Sequence, residues 1–362
     1  MDEAVHRNLD KFGHIVRLLD TLYLARNESF SDHAKRVVMR FFFIQIDNLE
    51  KLAGRVKNQL VASGHLKGQA QKDVEAAIKK LLGSYTNSLD QIRDKIAAHA
   101  QPLELDQFLA LWGGIDYSLI ELLYGDIDEL DRAFRVSGQM THARIGADYA
   151  PLRNIAATPL ARDQPPILAM DRAGLTRENA VSIIPQSQSQ KLAQLGVSIV
   201  DALLIDFWLT TLVNNPQTVF AKLLFDIGWF MVIVDTCSLI DVLFNDTMHA
   251  PSIRSIWRME GMKGLSQLDT VAAARDSDFE TSIRDLRNRL AAHIDAEDTL
   301  EALYDEYDEI DLVRLHSYSL KLLQAFQHAC RIDIRTKMFA AHGQPITQLA
   351  GLQKPSRPFD DT

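Results

Sequence analysis

A seven-residue segment occurs twice in this chain, and the repeat constrains the fold more than any other feature of the sequence. Residues 93–99 read RDKIAAH and residues 287–293 read RNRLAAH, so four of the seven positions are identical. The apolar stretches upstream of the two segments align on Asp47 and Asp235. The offset between the copies is 188 residues at the aspartates and 194 at the segments, a difference that one loop insertion accounts for. The repeat therefore predicts a duplicated structural unit.

Each copy is predicted to contain four α-helices. Apolar residues recur at helical spacing around both segments, and no run shows the two-residue alternation of a strand bounded by hairpin turns. The predicted helices lie near 3–26, 31–63, 68–99 and 104–123 in the first copy, and near 188–213, 217–245, 265–293 and 298–330 in the second. We therefore expect an all-α fold of two tandem four-helix-bundle units related by internal duplication.

The stretch between the copies breaks the helical pattern. Residues 137–187 contain five prolines and little periodicity, which is typical either of an ordered strap over the helices or of a plain linker. We expect the first helical unit to span 1–136 and the second to span 188–345. Residues 346–362 are expected to form a disordered tail.

Composition excludes several classes of protein. The chain has 39 Lys and Arg against 48 Asp and Glu in 362 residues, a net charge of −9, so any contact with nucleic acid must use a local basic patch. Two cysteines give no disulfide framework, and the polar, acidic start differs from a signal peptide. Charged residues interrupt the most apolar stretch, 203–234, which argues against a membrane span. We expect a cytoplasmic protein that does not enter a membrane.

The repeated segment resembles the motif of the HEPN superfamily (higher eukaryotes and prokaryotes nucleotide-binding domain). In that family an Arg near the end of the third helix is followed by a polar residue, often Asn or Asp, and then by a His a few positions on. The residues that carry the resemblance are Arg93, Asp94 and His99 in the first copy, and Arg287, Asn288 and His293 in the second. The bacterial members associated with abortive infection and toxin–antitoxin loci look most similar.

The resemblance implies a metal-independent ribonuclease with no cofactor. Its catalytic residues are expected to be Arg93, His99, Arg287 and His293, with each Arg holding phosphate and each His transferring a proton. Six positions along an ideal α-helix rotate about 240° and rise about 9 Å, so an Arg and its own His do not lie side by side unless the helix unwinds. Family members place two motifs in one cleft by dimerising. The duplication predicts an intramolecular pseudo-dimer here, and the oligomeric state of the whole chain stays open.

Non-catalytic interpretations stand beside this one. A His in the last turn of a helix stabilises the helix, and the motif arginines could pair with the supporting residues Asp47 or Asp235. The protein would then be a HEPN-fold module that binds a nucleotide or a protein partner. A third alternative is an assembly protein whose acidic last helix faces a basic partner.

The charges around the two motifs give conflicting indications about RNA binding. Residues 295–311 contain nine acidic residues and no Lys or Arg, which would repel RNA close to the second motif. We interpret this stretch as a solvated helix face rather than a metal site, because no His or Cys joins it at ligand spacing. Lys95, Arg284 and Arg289 add positive charge beside the motifs.

The second copy is expected to contribute more than the first. Asp94 follows Arg93 directly and would weaken its attraction for phosphate, whereas the neutral Asn288 follows Arg287. The acidic stretch counts against the second copy, but exposed charges beyond about 8–10 Å are largely screened at physiological salt.

Overall fold

The computed structural model describes residues 3–25, 32–86, 117–138, 221–246, 251–261, 265–291 and 297–330, and these residues are helical with short connections and no strand. The helices are α1 (Glu3–Ala25), α2 (Asp32–Ala62), α3 (Gly68–Thr86), α4 (Tyr117–Val136), α5 (Ala221–Phe244), α6 (Ile253–Glu260), α7 (Leu265–Ala273), α8 (Ser277–Leu286), α9 (Leu300–Glu309) and α10 (Leu312–Cys330). A π-helical turn, Arg287–Ala291, continues α8. The all-α prediction is confirmed for this part of the chain. The duplication and the domain boundaries stay predictions, because the first motif, nearly all of 137–187 and the tail lie outside the described residues.

Two helices that the sequence predicts as continuous are broken. The predicted helix 265–293 is interrupted before α8, where the Asp276 carboxylate accepts a hydrogen bond from the backbone N–H of Phe279 at 3.0 Å. The predicted helix 298–330 is interrupted before α10, where the Asp311 carboxylate accepts hydrogen bonds from Val313 and Arg314. In both places an aspartate satisfies the free N–H groups of a new first turn and so stabilises a fresh helix start.

Two further differences concern helix bounds. Helix α4 continues to Val136, beyond its predicted end at residue 123, because Ile127, Leu130 and Phe134 extend its buried apolar face. The short helix α6 was not predicted. It begins after Ser252, whose side chain accepts a hydrogen bond from the backbone of Ser255, and ends at Gly261 in the left-handed conformation.

Helix α5 is the centre of the described structure. Most of its residues from Trp229 to Phe244 are buried, on all sides of the helix, as expected for a helix with no polar face. It contacts α1 and α2 from the N-terminal part of the chain and α6, α8, α10 and the π turn from the C-terminal part. Buried residues from both parts form one hydrophobic cluster around it.

A buried ion pair joins α2 to α5. Arg40 Nη2 lies 2.6 Å from Asp235 Oδ1, and the two side chains are 1% and 0% exposed. Burial raises the pKa of Asp235, and the Arg40 guanidinium opposes that shift. Next to this pair, the rings of Phe41 and Phe230 pack with their centroids 6.2 Å apart. The polar and apolar contacts between the two helices are therefore adjacent.

A second buried polar contact joins α1 to α9. Tyr304 Oη lies 3.3 Å from His14 Nε2, and the two rings pack edge to face. Burial, together with the charge of Arg17, lowers the pKa of His14 to about 3. His14 is therefore neutral in the folded protein at all pH values near neutrality.

We expect that breaking the Arg40–Asp235 pair destabilises the fold far more than replacing it. Asp235→Asn removes the buried anionic partner of the Arg40 guanidinium and should lower the free energy of unfolding by about 3–5 kcal/mol. In the double variant Arg40→Met/Asp235→Leu, the free energy of unfolding should fall by much less. Urea denaturation measures both, with Arg132→Gln, which removes an exposed pair with Asp128, as a control expected to cost under about 1 kcal/mol. A double variant as unstable as the single one would show that the pair itself stabilises the fold.

We expect His14 to make the protein acid-sensitive. The pKa of His14 lies at about 3 in the folded state against 6.5 for the model group, so its contribution to stability is complete above pH 6.5 and is lost as the pH falls towards 3. At pH 5 the loss amounts to about 2 kcal/mol. Urea denaturation at pH 7 and pH 5 should show a fall in stability that is smaller in His14→Gln by that amount. Identical pH dependence in the two proteins would contradict the assignment.

Candidate functional site

The second copy of the repeated motif begins in a π-helical turn. Helix α8 ends at Leu286, and the five residues Arg287–Ala291 continue it with the wider π geometry. Single π turns inside α-helices are rare and occur often at functional sites. The helix therefore departs from α geometry at the motif arginine.

Apolar packing holds the π turn against α5. Ile283, Leu286 and Leu290 are buried, and the turn contacts both α5 and α9. Because Leu286 and Leu290 stay in the core across the transition, the wider turn does not detach the chain from its neighbours. The side chain of Arg287 extends from this turn towards Asp241 of α5.

Two arginines meet one carboxylate on α5. Arg284 binds Asp241 through both terminal nitrogens, with Nη1 3.0 Å from Oδ2 and Nη2 2.8 Å from Oδ1. Arg287 Nη1 lies 3.9 Å from the same Oδ2, which is an ion pair without a hydrogen bond. Asn245 donates a further hydrogen bond to Asp241 Oδ1 at 2.8 Å. We call Arg284, Arg287 and Asp241 the two-arginine cluster.

The cluster carries an excess positive charge in a partly buried place. The Arg287 side chain is 11% exposed, whereas those of Arg284 and Asp241 are 33% and 31% exposed. The buried Nε of Arg287 has no hydrogen-bond partner within the described part of the chain. Two guanidinium groups against one carboxylate leave one positive charge, and a phosphate oxygen is the kind of acceptor that such a site favours.

A buried thiol lies within the electrostatic reach of these arginines. Burial raises the pKa of Cys237, one helical turn before Asp241, to about 12, and the charges of Arg287 and Arg284 oppose that shift. The thiol is therefore protonated and enclosed, which excludes it as a nucleophile.

Arg289 lies apart from the cluster, although the sequence places it beside the motif. Its Nη1 donates to both carboxylate oxygens of Glu306 on α9 at 2.6 and 2.8 Å, and its Nη2 and Nε donate to Asp298. Both acids belong to the acidic stretch 295–311. Part of that stretch therefore compensates Arg289, and its charge is not wholly presented to solvent as the sequence suggested.

Asp47 and Asp235 have ion-pair partners other than Arg287. Asp235 pairs with Arg40, Asp47 pairs with Lys51 at 2.8 Å, and Arg287 pairs with Asp241. Asn288 is exposed. The other predicted site residues, Arg93, Asp94, His99 and His293, lie outside the described residues.

Sequence reasoning missed Asp241 as the partner of Arg287. Its signal was an acidic residue within the apolar helix α5, on the same face as Cys237 and Asn245 at four-residue spacing. Asp235, by contrast, aligns with Asp47 in the repeat. The pairing with Arg284 is a contact between two helices 43 residues apart in the chain, which spacing does not reveal.

The described residues contain neither a candidate metal site nor a candidate membrane span. They contain no group of three or more His, Cys, Asp or Glu side chains that could hold a metal ion. Among the described helices, none is long and apolar enough to cross a bilayer.

We expect that Asp241→Asn increases the affinity of the two-arginine cluster for phosphate. The substitution removes the carboxylate that competes with an anion for two guanidinium groups. Inorganic phosphate should therefore raise the melting temperature of the variant more than that of the wild type.

Asp269→Asn is the matched control, because Asp269 also accepts from two arginines, Arg254 at 2.7 Å and Arg258 at 3.4 Å. Those arginines are 31% and 59% exposed, so solvent screens them more strongly and phosphate should stabilise this variant less. Equal shifts in the two variants would mean that any released arginine pair binds phosphate equally well.

Comparison with known proteins gives no match for this chain among protein-family models, curated proteins or solved structures.

Proposed function

We propose that this protein is a HEPN-like endoribonuclease that cleaves RNA without a metal ion, in a defence or toxin-type role in the cytoplasm. Arg287 and Arg93 hold the scissile phosphate, and His293 and His99 transfer protons. The two motifs line one cleft, contributed by two four-helix units that duplication has placed in one chain. The observation that carries the proposal is the two-arginine cluster at the second motif, where a phosphate-binding Arg is required.

The proposed reaction uses the ribose 2′-hydroxyl as the nucleophile. One His accepts the proton of the 2′-hydroxyl as its oxygen attacks the adjacent phosphorus, and the bond from phosphorus to the 5′-oxygen breaks. The other His donates a proton to the leaving 5′-oxygen. The products are a 2′,3′-cyclic phosphate and a 5′-hydroxyl. The arginines stabilise the negative charge that grows on the phosphate oxygens in the transition state.

The described geometry supports phosphate binding by this cluster. Arg284 is fixed by two hydrogen bonds to Asp241, so it is oriented before a ligand arrives and loses little freedom on binding. Arg287 lies deeper than Arg284, with a buried Nε that no described residue accepts from. An anion that enters beside Asp241 would meet Arg284 first and Arg287 behind it.

The alternative is a non-catalytic HEPN-fold module that binds a nucleotide or a protein partner. The burial of Arg287 beside Asp241 favours it, since an arginine that is 11% exposed and ion-paired also suits a purely structural role. Under this alternative, phosphate would bind while RNA stays intact.

We expect the purified protein to cleave total RNA in the presence of EDTA. His293→Ala should abolish cleavage, and the fragments should carry cyclic phosphate and 5′-hydroxyl ends, as determined by end-labelling before and after phosphatase treatment. Cleavage should fall at both low and high pH, because one His must be neutral and the other protonated. Unchanged cleavage by the double variant His99→Ala/His293→Ala would rule out the assignment.

We expect Arg287→Ala to reduce cleavage more than Arg93→Ala, because Asp94 lies directly beside Arg93 in sequence. Arg289→Ala is the matched control, since it removes a neighbouring arginine that Asp298 and Glu306 already hold. Its effect should be smaller than that of Arg287→Ala, and circular dichroism should show all three variants folded. Equal losses for the two motif arginines would indicate one composite site, and a larger loss for Arg93→Ala would reverse the ranking.

A further inference from the structure

The α2–α3 hairpin is strongly basic in a chain that is acidic overall. Residues 51–80 contain seven Lys and Arg and two Asp and Glu, a surplus of five positive charges against −9 for the whole protein. We call residues 51–80 the basic hairpin. The remainder of the chain is correspondingly more acidic, so the positive charge is concentrated in this one supersecondary element.

The fold directs much of this charge to solvent. Leu66 and two left-handed glycines, Gly64 and Gly68, shape the short connection that returns α3 alongside α2. Within residues 51–80, the buried side chains of the two helices are apolar. The cationic residues that the structure shows as exposed are Lys51, Arg55, Lys67, Lys72, Lys79 and Lys80.

Most of these exposed cations are not neutralised by neighbours. Lys80 pairs with Asp126 and Glu129 of α4, and Lys51 pairs with Asp47. Arg55, Lys67, Lys72 and Lys79, by contrast, have no ion pair with any residue in the described ranges. Within the described part of the chain, no acidic side chain therefore offsets these four charges.

The four cations are spaced along the hairpin rather than gathered around one point. Lys72 and Lys79 are seven residues apart on the outer face of α3, about 10 Å along the helix, while Lys67 lies in the connection and Arg55 on α2. A row of separated charges suits several phosphates of a strand better than one compact anion.

We propose that the basic hairpin is the surface on which this protein holds a nucleic-acid strand by its phosphate backbone. The choice of a nucleic acid rests on the proposed function. The hairpin contains no Phe, Tyr or Trp, and Tyr85 after its end is buried, so the imidazole of His65 is the one exposed ring that the hairpin offers for base stacking. The hairpin therefore binds RNA and DNA alike and without preference for sequence, and selection of RNA belongs to the 2′-hydroxyl chemistry elsewhere.

The probe that tests this proposal is a single-stranded oligodeoxythymidylate of about twenty nucleotides, longer than the hairpin's footprint. It lacks the 2′-hydroxyl and so cannot be cleaved by the proposed reaction. Fluorescence anisotropy with the full-length protein, between about 50 and 200 mM salt, gives the affinity and its salt dependence. Binding of this probe is independent of whether the protein cleaves RNA, so failure of the ribonuclease proposal and failure of this one are distinguishable.

We expect the triple variant Lys67→Gln/Lys72→Gln/Lys79→Gln to bind the probe about tenfold or more weakly at low salt, and the slope of log affinity against log salt to flatten by about 2. The matched control, Arg132→Gln/Arg258→Gln/Lys321→Gln, removes three exposed cations from α4, α6 and α10 with the same change in net charge. It should bind nearly as the wild type does.

Three results would overturn the proposal. One is equal weakening in the two triple variants, which would mean that only net charge matters. Another is a wild-type protein that fails to bind the probe at low salt. The last is binding to anionic lipid vesicles, lost in the hairpin variant, without binding to the oligonucleotide, which would assign the hairpin to a membrane surface.

Discussion

The buried ion pair between Arg40 and Asp235 joins the N-terminal and C-terminal parts of this chain within one core. A charge with 1% exposure is tolerated only where an opposite charge compensates it, so α2 and α5 must meet in one register for both groups to be satisfied. Apolar contacts such as Phe41 with Phe230 supply most of the attraction, but they are compatible with many registers. The ion pair is formed in only one of these registers. It therefore also fixes the position of α5 relative to α2 for the other helices that pack on α5.

The same helix carries the carboxylate of the candidate site. Asp235 faces α2 and Asp241, six residues later, faces α8 and the π turn, so one helix orients both polar contacts. The two aspartates differ in what surrounds them. Asp235 is fully enclosed and pairs with Arg40, whereas Asp241 is about one-third exposed and pairs with both Arg284 and Arg287. The position of each aspartate along α5 thus determines whether its ion pair is fully buried or partly exposed to solvent.

The helical class and several helix bounds could be predicted from the sequence because they depend on local periodicity. Helices α1 and α2 follow from the spacing of their apolar residues, whereas α5 follows from an apolar stretch that Pro216 and the polar residues after 244 bound in the sequence. The breaks at Asp276 and Asp311 were missed because apolar periodicity continues across them, and only the capping geometry reveals that the helix restarts.

The candidate site was predictable only in part. Arg287 and the nearby Arg284 could be read from the repeat and its flanking charge, but their shared carboxylate depends on the packing of α5 against α8. Tertiary structure likewise determines the partners of the neighbouring arginines. Arg284 pairs with Asp241, whereas Arg289 pairs with Asp298 and Glu306. Three arginines within six residues look equivalent in sequence, and the fold gives them different partners.

The π turn at Arg287–Ala291 also bears on what a motif spacing means. Each residue in a π turn advances the helix by a smaller angle than in an α-helix, so the number of residues between two functional side chains does not determine the angle between them. Insertions and deletions within such a turn change the count while the faces presented on either side of it can stay the same. Sequence searches that fix the gap between an Arg and a His would then discard relatives with the same geometry. The local helix type must therefore be considered together with the residue count when two such side chains are placed on one helix.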